Sequence, residues 1–471
     1  MNRGLITGIL GRFLQIYAVL VALPALLIFI YPEPVSNFYI FTGTAVFTFT
    51  AGTVMTRIGH TGEPSVKEAM LLTVLGWIVA VIIGAVPLTQ YMPVIDAVFE
   101  ASSGLTTTGI SLVRSHEALP HSILFWRGFM QWIGGLGILT FFIAVIKKSG
   151  GISQRLFSAE AHKTDPGSIR PSVTKSITDL WRVYGFLTTI LIGLLVAFEM
   201  PVFDALVHAF STLSTGGFSS QSTSFAAYSP EIKVVTTLFM LFGGINFVIF
   251  YRVLRADYRP LKKNTEFKAY VSVFLILSIL LVHGFLGKTS LPVIDGFFQG
   301  ASFISSTGFS TVDSMILSPV FQIMLIAVMF MGGSLGSTSG GLKTFRVITL
   351  FKLLKTRLDA YTLPKSAVNS VKIDGAILDS SAVKTISVLF FTWIVTCFML
   401  GIFLVGIEGY SFKGGLSVAV SSLGNMGPVF IDQVLVEASV PSKIFIVVAM
   451  IAGRLEMLPL LAVFNRTAIK D

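Results

Sequence analysis

Apolar runs of about 20 residues, parted by short polar stretches, fill most of this 471-residue chain. A helix of about 20 residues is what crosses a hydrocarbon core about 30 Å thick. Ten such runs are read, near 10–31, 37–56, 69–90, 122–146, 181–200, 232–251, 269–287, 320–355 (interrupted), 383–407 and 442–463. Between them lie shorter apolar segments of about ten residues, too short to cross. Three open on near-copies of one phrase: Pro93-Val94-Ile95-Asp96-Ala97, Pro201-Val202-Phe203-Asp204-Ala205 and Pro292-Val293-Ile294-Asp295-Gly296. They lead to Thr106-Thr107-Thr108-Gly109, Ser214-Thr215-Gly216-Gly217 and Ser305-Ser306-Thr307-Gly308, each Asp thirteen positions before its final Gly. A fourth, degraded copy runs from Gly414 to Gly424-Asn425-Met426-Gly427.

Repetition fixes architecture before any local reading does. The pattern predicts an all-α membrane protein of four tandem units: outer helix, short helix, pore loop and inner helix. They are arranged with pseudo-fourfold symmetry around one pore, after an extra N-terminal helix pair. Its expected boundaries are 1–62 for the pair and 63–150, 151–258, 259–365 and 366–471 for the units. Asp96, Asp204 and Asp295 are expected to cap the short helices, since a carboxylate there accepts from an orphan backbone N–H. The fourth unit has Lys413-Gly414-Gly415 instead. A small pair follows each loop about 25 residues on: Gly134-Gly135, Gly243-Gly244, Gly332-Gly333 and Ala452-Gly453. Such pairs allow close helix approach or a bend. In the third unit Gly332, Gly333, Gly336, Gly340 and Gly341 break the inner helix outright. Irregular backbone at membrane depth is tolerated only where it is buried in protein or lines water, so a loop across the pore is expected there.

Composition supports the membrane reading: 53% of residues are hydrophobic, 12% are charged and mean hydropathy is +0.81. The net charge of +10 would invite nucleic acid in a soluble protein. Here the Lys and Arg gather in alternate loops, 147–182, 252–268 and 343–384. That is the positive-inside bias; it places both termini in the cytoplasm and leaves anionic lipid as sufficient company for the charge. Arg3, Arg12 and the run behind them imitate a secretory signal, but the run is long and feeds directly into another, so a retained span is expected. The single cysteine, Cys397, permits no internal disulfide and no thiolate metal cluster. No nucleophile–base pair, phosphate loop or zinc spacing is present, so an enzyme is not expected.

A permeating cation must exchange water for other oxygens, and rings of backbone carbonyls can supply them. Turning successive carbonyls the same way demands angles that glycine adopts freely, hence Gly109, Gly217, Gly308 and Gly427. Thr106, Thr107, Thr108, Ser214, Thr215, Gly216, Ser305, Ser306, Thr307, Gly424, Asn425 and Met426 complete the expected ion-binding loops. The C-terminal ends of the short helices favour a cation between them. Glu100, where the other units have His208, Gln299 and Val418, reads as a strut behind the loop rather than an ion ligand. His116, Glu117 and His121 cluster in an outer loop without metal-like spacing. Arg454 falls inside the last run, where a cation is costly and marks function by default; pairing with carbonyls or Glu456 is the plainer alternative.

Phe99-Glu100-Ala101-Ser102-Ser103-Gly104-Leu105-Thr106-Thr107-Thr108-Gly109, Gln131-Trp132-Ile133-Gly134-Gly135-Leu136-Gly137, Gly340-Gly341-Leu342-Lys343-Thr344 and Gly424-Asn425-Met426-Gly427-Pro428 carry a resemblance. Over nearly its whole length the chain resembles the Trk/Ktr/HKT superfamily of potassium transporters, in particular the Trk-type membrane subunit. The extra N-terminal pair and the degenerate fourth loop are both similar to Trk subunits, and Gly at 109 matches potassium-selective members. The resemblance implies K⁺ as the transported ion, bound at the filter only, and no covalently bound cofactor. It also implies a homodimer with one pore per subunit in the bacterial inner membrane. A cytoplasmic ring of RCK-type regulatory subunits is implied too, and nucleotide would bind there alone. It sets Arg454 beside the pore against the glycine-rich loop, with Lys343, as gating residues.

Two other readings stay open at this point. A sodium-permeable or ion-coupled relative would use the same carbonyl and hydroxyl oxygens. A non-conducting sensor would keep the loops as relics, against which stand the intact hydroxyls of three of them.

Overall fold

The computed structural model describes residues 2–60, 62–137, 173–362, 370–457 and 460. Lys147, Lys148 and Arg155, and the ends of the apolar runs at 138–146 and 461–463, lie outside these. The N-terminal pair is α1 (Arg3–Ala22, continued as a 3-10 segment Leu23–Phe29) and α2 (Val35–Ile58). They cross where Gly11 meets Gly52; a Cβ on either would lie 2.7 Å from the other's carbonyl oxygen.

The four units follow in order. The first has α3 (Val66–Ala85), α4 (Val94–Leu105) and α5 (His121–Gly135). The second has α6 (Val173–Ala197), α7 (Val202–Leu213), α8 (Pro230–Gly243) and α9 (Phe247–Val253). The third has α10 (Thr265–Phe285), α11 (Pro292–Ile304), α12 (Pro319–Met331) and α13 (Thr344–Asp359). The fourth has α14 (Ser380–Glu408), α15 (Phe412–Gly424) and α16 (Val440–Arg454).

Each outer helix backs its own short helix: α3 on α4, α6 on α7, α10 on α11, α14 on α15. Each inner helix packs on the short helix of the next unit, α5 on α7, α8 on α11, α12 on α15, and α16 returns to α4. The fold is therefore a closed ring. The outward faces carry exposed Phe47, Ile279, Phe391 and Ile402, a belt that suits lipid and not water. Among the described residues, six helices are long and apolar enough to cross a membrane, and α8–α9 passes as a seventh, bent by 104°. The chain is a multi-pass membrane protein.

Two expectations are corrected. The Asp residues do not cap the short helices: the N-caps are Pro93, Pro201 and Leu291, and Asp96, Asp204 and Asp295 sit inside the first turn. Proline sets φ near that of a helix and has no N–H to satisfy, so the helices begin earlier. A first-turn carboxylate still faces the positive end of the dipole. The fourth short helix has a side-chain cap, Ser411, accepting from Gly414 N at 3.1 Å. The inner helices are also shorter than their apolar runs. α5, α8, α12 and α16 all stop at the small pairs; in units one, two and four the pair touches a short helix's carbonyl end, and in unit three Gly332 and Gly333 meet Gly340 and Ser339 of the following segment. A Cβ on Gly134 would overlap the Leu105 oxygen, one on Gly453 the Leu423 oxygen, and one on Gly243 would lie 3.2 Å from the Leu213 oxygen. Arg454 is accordingly the last residue of its helix, where a cation complements the dipole.

Candidate functional site

Every short helix ends the same way. Thr107, Thr215, Ser306 and Asn425 adopt left-handed backbone, with φ of 55°, 52°, 59° and 49°. The next amides fold back: Thr108 N to Ser103 O at 2.8 Å, Gly216 N to Ser211 O at 2.8 Å, Thr307 N to Ser302 O at 2.9 Å and Met426 N to Ser421 O at 2.9 Å. These are Schellman closures. The final glycines turn left-handed again, at 81°, 81°, 87° and 98°. Left-handed residues two apart, with one between them that is not, is the alternation that turns neighbouring carbonyls to one side.

The loops meet. A Cβ on Gly109 would overlap the Gly216 oxygen, and one on Gly217 the Thr307 oxygen. One on Gly308 would lie 2.6 Å from the Met426 oxygen, and one on Gly427 3.0 Å from the Thr108 oxygen. Loop one touches two, two touches three, three touches four and four touches one. Hydroxyl pairs brace them: Thr106 with Thr108 at 2.7 Å and Ser305 with Thr307 at 2.6 Å. Asn425, in the degraded loop, donates to Thr108 Oγ1 and to Met450 O, both at 2.9 Å.

Struts stand behind the ring. Glu100 accepts from Leu112 N at 3.0 Å and Ser111 Oγ at 2.9 Å, and is ion-paired with Arg127 at 2.7 Å. His208 meets Ser219 Oγ at 2.9 Å, and Gln299 donates to Val312 O at 2.8 Å. Val418 is apolar, and its neighbour Ser417 accepts from Phe430 N at 2.8 Å instead. In the outer loop His116 lies against Arg127, Glu117 takes both Ser222 N (2.7 Å) and Ser222 Oγ (2.6 Å), and His121 stacks on Tyr31. Burial, then the Arg127 charge, pushes His116 down to about 3. The Ser222 bonds hold Glu117 down to about 2.

Beneath the ring runs the glycine-rich segment. Ser306 Oγ contacts Ser339 Oγ at 2.7 Å and accepts from Gly340 N at 2.6 Å; Gly341 N donates to Gly424 O at 2.8 Å. Thr338 Oγ1 donates to Leu213 O at 2.8 Å and lies 3.4 Å from Thr215 Oγ1. Gly332 packs on Gly340, Gly333 on Ser339 and Gly336 on the Asn246 side chain. Arg454 Nη1 reaches Thr338 O at 3.1 Å and Thr107 Oγ1 at 3.3 Å, and Nη2 donates to Gly134 O and Gly135 O. Lys343 donates to Ser339 O, and Glu456 pairs with Arg346. The segment thus contacts loops two and three and the end of the fourth short helix, and meets loop one through Arg454.

A family model described as TrkH, cation transport protein, matches residues 36–283 and 273–468. The chain belongs to the TrkH family of cation transport proteins. An uncharacterized cation transporter of Methanocaldococcus jannaschii is 32% identical, over 98% of this chain and 94% of that one. The Trk system potassium uptake protein TrkH of Salmonella typhimurium is 31% identical over 98% of both. The crystal structure of the potassium transporter TrkH from Vibrio parahaemolyticus superposes with a TM-score of 0.87 at 26% identity, covering 99% of this chain and 100% of that one. Members of the family are transporters, not enzymes.

Three residues that hold the site went unread in the sequence. Arg127 neutralises Glu100. Gln131 bonds loop two. Glu266 accepts from Leu335 N at 2.7 Å and Phe345 N at 3.1 Å, holding both ends of the glycine-rich segment. For Arg127 the signal was present, a cation in an apolar run; Gln131 stood in a quoted motif with no role read for it and Glu266 carried no signal, because their partners lie 69 to 87 positions away.

Proposed function

We propose that this TrkH-family subunit takes up potassium through a gated, channel-like pore whose selectivity filter is the ring of four loops. The observation that carries the reading is the cyclic contact of Gly109, Gly217, Gly308 and Gly427 with the next loop's carbonyl. A ring of oxygens with no ionised side chain, backed by four helix C-termini, substitutes for the water of a monovalent cation. K⁺ is the cargo, with no covalently held cofactor. Relatives named for potassium uptake support that ion over sodium. In liposomes the purified protein is expected to pass rubidium in strong preference to sodium. Equal rates would favour the sodium-permeable relative, and no flux at all would end the pore reading.

Gating is assigned to Arg454, Lys343 and the loop of Gly332, Gly333, Gly336, Gly340 and Gly341. A guanidinium under a cation filter is a charge barrier, and its bond to Thr338 O ties its position to the loop's. Arg454→Gln is expected to raise rubidium flux in the absence of any regulator; unchanged flux would leave Arg454 as a helix-end brace only. The partners proposed are a second copy of this chain and a cytoplasmic ring of RCK-type nucleotide-binding subunits. The setting is the bacterial inner membrane, with both termini cytoplasmic, which the positive-inside bias supports.

A further inference from the structure

The second filter loop lacks a part that its neighbours have. In loops one and three a threonine precedes the final glycine, and its hydroxyl pairs with the one two residues earlier, Thr108 with Thr106 and Thr307 with Ser305. Loop two keeps the earlier hydroxyl, Ser214, but has Gly216 where the threonine belongs. That space is not empty. A Cβ built on Gly216 would overlap the carboxamide of Gln131, which arrives from α5, the inner helix of the preceding unit. Gln131 is fully buried. Its Nε2 donates to Gly216 O at 2.6 Å, and its Oε1 accepts from Phe218 N at 3.1 Å. A carbonyl only accepts and an amide N–H only donates, so these partners fix which way the carboxamide faces.

We propose that Gln131 is a specificity-determining positioning residue of the filter, standing in for the side chain absent at Gly216. The inference rests on the potassium reading above. Gly216 O is the carbonyl against which Gly109 packs, so it sits at the seam between the first two quarters. Among the four carbonyls at that level (Thr108, Gly216, Thr307 and Met426), Gly216 O is the one that a side chain bonds among the described residues. Discrimination against a smaller ion requires that the carbonyls not close in around it, and a filter's rigidity and dipole field set that. Loops one and three resist through their own hydroxyl pairs. Loop two depends on a side chain 85 positions away.

The test is the rubidium-to-sodium flux ratio of purified protein in liposomes for the wild type, Gln131→Ala, Gly216→Thr and the double variant. Each single change is expected to lower the ratio about tenfold, corresponding to about 1.4 kcal/mol: the first removes the clamp, the second drives a side chain into it. The double variant is expected to regain most of the ratio, because Thr at 216 can pair with Ser214 as Thr307 pairs with Ser305. A wild-type ratio in Gln131→Ala, or a double variant no better than the singles, overturns the proposal. Should Gln131→Ala fail to remain monodisperse, Gln131→Met keeps the volume without donor or acceptor. It is expected to show the same loss, and retention of the ratio overturns the proposal equally. A wild type with no rubidium preference defeats the potassium reading instead, so the two failures are told apart.

Discussion

A non-glycine residue with left-handed backbone costs about 1–2 kcal/mol, and the position it occupies at a helix end is usually glycine. Here all four loops of the ring have a side chain there: Thr107, Thr215, Ser306 and Asn425. Three of those side chains are what the structures beneath the ring hold, while Asn425 bonds Thr108 and Met450 instead. Ser306 Oγ is bonded to Ser339 and Gly340 of the glycine-rich loop, Thr107 to Arg454, and Thr215 lies against Thr338. Ser306→Gly should therefore separate stability from control. Relief of backbone strain offsets the lost hydrogen bonds, each worth about 1 kcal/mol. The unfolding midpoint is expected to stay close to that of the wild type, while rubidium flux without regulator rises. A midpoint that falls sharply with flux unchanged would mean the serine serves the fold alone.

At the scale of elements, the outer and short helices were legible because their apolar runs end in polar turns and repeat at fixed spacing. The inner helices were legible only as runs. Hydropathy cannot say that α8 turns by 104° into α9, since an apolar half-helix and an apolar bend have the same composition. The first-turn Asp residues were visible, but their partners were not: Ser220 for Asp204 and Lys443 for Asp96. The outer loop of the first unit was read as a loose group of titratable residues, yet it staples units one and two through Glu117 and Ser222. Its pH dependence follows. His116 is lowered from 6.5 to about 3, so on acidification the unfolded chain takes up that proton first and stability is lost from about pH 6.5 downward. Glu117 is lowered from 4.5 to about 2; its contribution is complete above about pH 4.5 and is lost as pH falls toward 2. Both losses run the same way. The contribution of these two groups to the unfolding midpoint is expected to be flat above about pH 6.5 and to decline below it. In His116→Gln the decline is expected to begin only below about pH 4.5; an unaltered profile would remove His116 from the account.

For the whole molecule, the order of quarters around the pore is set by each inner helix gripping the next short helix, and three of the four grips join neighbours in sequence. The fourth, α16 on α4, must bring together segments 347 positions apart. There the buried pair of Lys443 and Asp96 stands at 2.7 Å, and Lys443 also donates to Val436 O at 2.8 Å. The seam between units three and four uses a different chemistry at the matching place, Lys413 donating to Gln322 Oε1 at 2.6 Å. Closing a ring through a buried ion pair is not the cheapest way to gain stability, since desolvation consumes most of the attraction. What the pair does is penalise any other register, because Asp96 facing apolar surface would be an uncompensated charge. Lys443→Met is accordingly expected to destabilise the protein by about 3–5 kcal/mol and to lower the rubidium-to-sodium flux ratio, because loop four loses its fixed place against loop one. Lys443→Met combined with Asp96→Asn is expected to recover most of the stability, the stranded charge being gone, but not the ratio, since the seam is still unlocked. Thermal unfolding and paired fluxes on the two variants measure each part. A double variant that restores selectivity together with stability would show that packing of α16 on α4 closes the ring without the charges.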